Sequence, residues 1–210
     1  MAQSKTYHHG NLRRSLVSTA TSILEKRGRS ALTLRECARL VNVSHNAPNY
    51  HFADLRGLLT AVAAAGYRDL SRRQNRAIQR LTNPGDQLLA LAREYMSFAR
   101  ASPARFRLMF SDEGVDSQNT EYQQVVTESW SLLAGVMADF LGEPTSADYD
   151  AFVRSPRDML MWSSVHGLAS LMIDGKLRSR RFKNKAAVDD YVDSCLKPVI
   201  VGLKRLHDQR

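Results

Sequence analysis

The sequence predicts an all-α protein, with a small three-helix helix-turn-helix domain at its start and a larger helical domain behind it. Three observations carry this. Apolar residues recur at helical spacing almost throughout, and no period-two alternation runs long enough to compete. Two short helical patterns meet at a very tight turn near residue 42. The positive charge is gathered at one end: residues 1–80 hold 14 Lys/Arg and 4 Asp/Glu, while residues 81–210 hold 16 and 17. The chain of 210 residues is 43% hydrophobic and 24% charged, ordinary values for a soluble globular protein with a sizeable core.

Leu12, Leu16, Ala20 and Ile23 recur at steps of four, four and three, which predicts a first helix from Asn11, as N-cap, to Arg27, ended by Gly28. Thr33-Leu34-Arg35-Glu36 is a capping-box pattern, in which the Thr33 hydroxyl accepts from the Glu36 N–H and Glu36 reaches back. Leu34, Cys37, Ala38 and Val41 then form one buried face. Asn42 stands where the chain must turn, and Asn tolerates the left-handed conformation. Val43 plugs the turn, and Ser44 is placed to cap a third helix.

That third helix would hold His45, Asn46, Ala47, Pro48, Asn49, Tyr50 and His51, an odd set for a buried helix. The set suits base edges and phosphates: Asn pairs bidentately with adenine, aromatic and imidazole rings touch thymine methyls or phosphates, and a Ser hydroxyl donates to phosphate. Pro48 costs little in a first turn whose N–H groups are unpaired anyway. A basic segment of this kind fits a polyanion partner. The alternatives are a polar surface helix on a solvated basic face, a sequence-indifferent DNA binder, and a protein adaptor.

A long helix is expected from Asp54 to Leu81, stopped by Asn83-Pro84. Beyond it Leu88, Leu91, Tyr95 and Phe98 make a helical stripe. Pro103 suits the first turn of another helix, residues 111–119 read as a loop, and Glu121–Leu141 is amphipathic and closed by Gly142. Pro156–Asp174 and Ala186–His207 supply two more, joined by a basic connector over 176–185. On the first of these, Met159, Trp162 and His166 share a face, and Gly167 permits a close backbone approach. Tyr95, Phe98, Phe106, Met109, Phe110, Trp130 and Met137 are either plain core or, with Met159, Trp162 and His166, the lining of an apolar sensing pocket.

Several classes are disfavoured. No run approaches the roughly 18–20 apolar residues of a membrane span, and the first residues lack the apolar region of a secretory signal. Cys37 and Cys195 lie far apart in helical patterns and read as buried small residues, which fits a reducing cytoplasm. His8 and His9 lack partners at metal-ligand spacing. No His-Glu-x-x-His, phosphate loop or nucleophile elbow is present, so neither an enzyme nor a cofactor is expected.

Taken together, Tyr7-His8-His9-Gly10-Asn11-Leu12-Arg13, Thr33-Leu34-Arg35-Glu36-Cys37-Ala38, Val43-Ser44, Tyr50-His51-Phe52 and Leu58-Leu59 resemble the DNA-binding domain of TetR-family transcriptional regulators. Trp162-Ser163-Ser164-Val165-His166-Gly167 resembles the Trp-His-Gly signature of one C-terminal subclass. Two positions depart from the pattern. Asn49 stands where the family usually has Tyr, and Leu55 where it usually has a phosphate-contacting Lys, with Arg56 one residue later.

The resemblance implies a DNA-binding domain over 1–53 and a C-terminal helical ligand-binding and dimerisation domain over 54–210. It implies that His45, Asn46, Asn49 and Tyr50 lie near base edges, and Thr33, Ser44 and His51 near phosphates. It further implies a homodimer paired through the last two helices and a small-molecule effector whose binding releases a palindromic operator. Dimerisation also follows from physics, because one short recognition helix reads too few base pairs, whereas two copies roughly 34–36 Å apart read a palindrome.

Overall fold

The computed structural model describes residues 9–144, 155–177, 182 and 184–209. Among them all regular structure is helical: α1 (His9–Arg27), α2 (Leu34–Leu40), α3 (Leu55–Ile78), α4 (Pro84–Ala101), α5 (Pro103–Met109), α6 (Thr120–Leu141), α7 (Pro156–Ile173) and α8 (Lys185–Asp208), with single 3₁₀ turns at Arg29–Ala31 and Ala47–Tyr50. Tyr7 and His8 lie outside the described residues, as does part of the basic connector. The chain forms two compact units, one of Met1–Gly66 with Ala104–Gln123, the other of Tyr67–Pro103 with Gln124–Arg210.

The first unit is built on α1, whose stripe Leu12, Leu16, Ala20 and Ile23 is buried as its spacing predicts. The helix runs from His9 rather than from Asn11, so Asn11 lies inside its first turn. Gly28 ends it at φ 78°, a conformation that favours glycine. Phe52, Leu58, Leu59 and Val62 join the core from the far side of α2, and Phe106, Leu108 and Met109 join it from α5. Glu25 of α1 caps α5: its carboxylate accepts from the Ala104 N–H at 3.2 Å and the Arg105 N–H at 2.7 Å, two donors that the helix cannot satisfy itself. The loop before α6 is held to α3. Thr60 Oγ1 accepts from the Asp116 N–H at 2.9 Å, the Arg56 guanidinium donates to the Val115 carbonyl at 3.0 Å, and the Val115 side chain is buried between them.

α2 is half of the expected capping box. The Thr33 hydroxyl accepts from the Glu36 N–H at 3.0 Å, but Glu36 does not reach back. Its carboxylate turns instead to two guanidinium groups, Arg27 at 2.6 Å and Arg39 at 2.8 and 3.0 Å. Pairing with two guanidinium groups, one of them through a fork, gives the carboxylate two opposite charges and three bonds in place of one bond to a backbone amide.

In the second unit α7 and α8 pack on α4 and on each other. Leu88, Leu91, Tyr95 and Phe98 of α4 are buried. The caps follow local chemistry: Asn83, Ser155 and Asn184 each accept from the N–H three residues on, and Pro84 and Pro156 open their helices. Gly142 and Gly175, at φ 75° and 70°, close α6 and α7. Arg93 grips Asp193 through a fork of 2.7 and 2.5 Å, joining α4 to α8. α3 ends at Ile78, short of Leu81, with the Leu81 N–H closing on the Ile78 carbonyl.

The hydrogen bonds from Arg39 and Arg27 lower the Glu36 pKa from 4.5 to about 2. A carboxyl depressed on folding contributes stability that is fully present above its unfolded value and lost as pH falls through its folded one. Thermal unfolding followed from pH 6 to 2 should therefore show the melting temperature falling below about pH 5. In Glu36→Gln that fall should be shallower. Identical profiles would show that the arginine fork contributes nothing.

Candidate nucleic-acid interface and effector region

The turn after α2 fixes the candidate interface. Asn42 has φ 57°, the left-handed conformation expected of it. The Val43 N–H reaches the Ala38 carbonyl at 3.0 Å, while the Asn42 N–H bonds Arg39 at 3.3 Å. Together they close α2 in a Schellman motif and send the chain back on itself.

The third helical element is shorter than the sequence suggests. It is one 3₁₀ turn, Ala47–Tyr50, and Ser44 does not cap it: its carbonyl accepts from the Ala47 N–H, and the turn is entered from Asn46. Pro48 explains this. It has no N–H to give to residue 44, and its ring disfavours the α conformation at Ala47. Asn49 bonds Asn46 at 3.1 Å and His51 bonds Pro48 at 2.9 Å, both i to i−3, and the Phe52 N–H shares the Pro48 carbonyl at 2.9 Å.

Buried Pro48 and Phe52 anchor the segment, and Arg13 lies over the Phe52 ring, 5.6 Å from its centre. Outside these anchors Ser44, His45, Asn46, Asn49 and Tyr50 are exposed, Tyr50 by 86%, and His51 is half-buried. The side chains of Asn46, Asn49 and Tyr50 hydrogen-bond to no described residue, so their donors and acceptors point outward unspent. Thr33 is exposed at the start of α2. Arg56, one place after the Leu55 departure, spends its guanidinium on Val115.

In the second unit four of the seven effector candidates meet. The Tyr95 hydroxyl lies 2.7 Å from His166 Nδ1. Trp162 stacks obliquely on His166 with ring centres 4.8 Å apart, and Trp130 meets Trp162 edge-on at 5.1 Å. Burial pushes the Tyr95 hydroxyl far above its usual range and the His166 imidazole below its own. Both are thus neutral at pH 7, and the ring's tautomer sets which of the two donates. Met159 is half-buried one turn earlier on α7. Phe106 and Phe110 pair with each other in the first unit, 5.1 Å apart.

An open cavity of about 260 Å³ in the second unit has a different lining, Arg100, Pro103, Met172, Ile173, Leu177 and Phe182. No sequence pattern announces it, because its walls come from separate stretches of chain. A side chain built at Gly167 would meet nothing within 4 Å, so the close approach expected there does not occur within the described protomer. Along α7 and α8 Leu160, Leu171, Val201 and Leu206 are exposed by 45–64%. Among the described residues no helix is long and apolar enough to cross a membrane, and no cluster is placed to hold a metal ion.

A basic helix-turn-helix unit joined to a helical unit with an aromatic cluster defines a class of transcriptional regulator, and comparison with known proteins agrees. A family model described as the tetracyclin repressor-like C-terminal domain matches residues 88–195. A solved protein from Rhodococcus sp. RHA1, described as of unknown function, is 31% identical, with 95% of this chain and 98% of that one aligned at a TM-score of 0.75. A TetR-family regulatory protein from Rhodococcus RHA1 shares the fold at 17% identity, covering 90% and 96% of the two chains, TM-score 0.59. A TetR/AcrR-family regulator from Thermobifida fusca does so at 16%, covering 90% and 97%, TM-score 0.61. No functionally curated protein matches the chain. The chain belongs to the TetR family of transcriptional regulators.

Tyr95→Phe removes the hydroxyl that hydrogen-bonds His166 Nδ1 in a partly buried setting. The expected cost is about 1–2 kcal/mol in urea unfolding, and an unchanged midpoint would mean that the pair is dispensable.

Proposed function

We propose that this TetR-family chain is a repressor that binds a palindromic operator in duplex DNA as a homodimer and is released by a small-molecule effector. One observation carries the DNA reading: an outward segment, Ser44–Tyr50, offers unspent amide, imidazole and phenol groups while its apolar residues lock it to a basic unit. In this reading His45, Asn46, Asn49 and Tyr50 approach base edges, and Thr33, Ser44 and His51 approach phosphates. Residues 1–53 form the DNA-binding domain and residues 54–210 the effector-binding and dimerisation domain.

The effector domain is read as the Trp-His-Gly subclass, with the Tyr95–His166–Trp162–Trp130 cluster forming one wall of the sensing site. Effector and operator would then oppose each other reciprocally. The protein works in the cytoplasm in this reading and carries out no catalysis. Dimerisation is supported by the apolar residues that α7 and α8 leave uncovered, and by the open space beside Gly167.

Selection of bound duplexes from a random pool should return a symmetric site. On that site Asn49→Ala should weaken binding by about 1–3 kcal/mol while sparing random DNA. Equal loss on both would remove Asn49 from base reading. Leu171→Asp, an exposed change that leaves the protomer fold intact, should shift sedimentation from dimer toward monomer. A dimer of unaltered strength would place the interface elsewhere.

A further inference from the structure

A second feature of the first unit stands apart from the recognition turn. Arg14, Ser15, Ser18 and Thr19 of α1, with Val41 at the end of α2, line an open groove of about 490 Å³. Val41, one of its walls, directly precedes the tight turn at Asn42 that leads to Ser44.

Its chemistry is that of an anion site. Helical Ser and Thr hydroxyls commonly donate back to the carbonyl four residues earlier, and Thr21, on the same helix, does so to Val17 at 2.8 Å. The hydroxyls of Ser15, Ser18 and Thr19 make no hydrogen bond to any described residue, which leaves three donors facing the groove. Arg13 is engaged by Glu121 at 2.6 Å and by Phe52, whereas neighbouring Arg14 is exposed and forms no ion pair with a described residue.

The carboxylates around it are held elsewhere, Glu121 among them, on Arg13. Glu25 caps α5, Glu36 holds Arg27 and Arg39, and Asp54 accepts from the Gly57 N–H at 2.8 Å. The acids of this stretch of chain are committed to its own fold, and the groove keeps a net positive charge.

We propose that this groove seats a backbone phosphate of the duplex, with Arg14 supplying charge and Ser15, Ser18 and Thr19 supplying neutral donors. The proposal rests on the DNA-binding reading and adds a positioning contact to it. A phosphate contact carries no base information, so its loss must act alike on operator and random DNA.

The test measures affinity for a selected operator duplex and for a random-sequence duplex across a salt series. Arg14→Gln should lower the log–log salt slope by about 0.9 per protomer, equivalent to about an eightfold loss of affinity per protomer at 0.1 M salt. Ser18→Ala should weaken both duplexes about two- to tenfold at unchanged slope, because a neutral donor releases no counterion. Arg100→Gln, a charge removed in the second unit, should leave the slope alone.

An unchanged slope in Arg14→Gln while the parent protein binds DNA overturns this assignment and leaves the DNA reading standing. An equal drop in Arg100→Gln also overturns it, since the effect would then be one of overall charge. If the parent protein ignores duplex DNA, both readings fall together.

Discussion

The first unit depends on one backbone closure, the Schellman turn at Asn42. A left-handed residue other than glycine costs roughly 1–2 kcal/mol, and here it is offset by two carbonyls of α2 finding donors in Asn42 and Val43. Without that reversal the polar segment from Ser44 would continue away from α2, and Pro48 and Phe52 could not reach the core. With it, the chain changes direction within two residues, and of the side chains between the two anchors Asn49 and Tyr50 are exposed and His51 is half-buried. Presentation of Asn49 and Tyr50 is thus a consequence of how their neighbours are buried.

Charge in this unit follows the same division of labour. Each acidic residue near the turn is consumed by a structural duty: Glu25 on a helix end, Glu36 between two arginines, Asp54 at the start of α3. Carboxylates held this way cannot neutralise the arginines left at the surface. The positive balance of the leading segment is therefore available to a polyanion rather than spent inside the fold, which is what long-range steering and phosphate contact require.

The second unit uses polar groups differently. The Arg93–Asp193 fork ties α4 to α8 with two charge-assisted bonds, and the Tyr95–His166 pair ties α4 to α7 with a neutral one. Burial keeps the second pair uncharged, so it can sit against Trp162 without the desolvation cost of an ion. The two ties leave the far sides of α7 and α8 bare, with leucine and valine exposed.

The sequence alone determined the helices, because 3.6-residue periodicity, prolines at first turns and glycines after last turns act locally. The buried stripe of α1, the stripe of α4 and the left-handed Asn42 were all legible in that way. Other features depended on which atoms the fold brought within reach. Glu36 forsook its capping partner once two guanidinium groups lay within reach, whereas the single turn at Pro48 is a local effect of a residue without an N–H. The Tyr95–His166 contact joins residues 71 apart, and the walls of both grooves come from separate segments. Spacing along a chain fixes which face a residue occupies on its own helix; only packing decides what stands opposite.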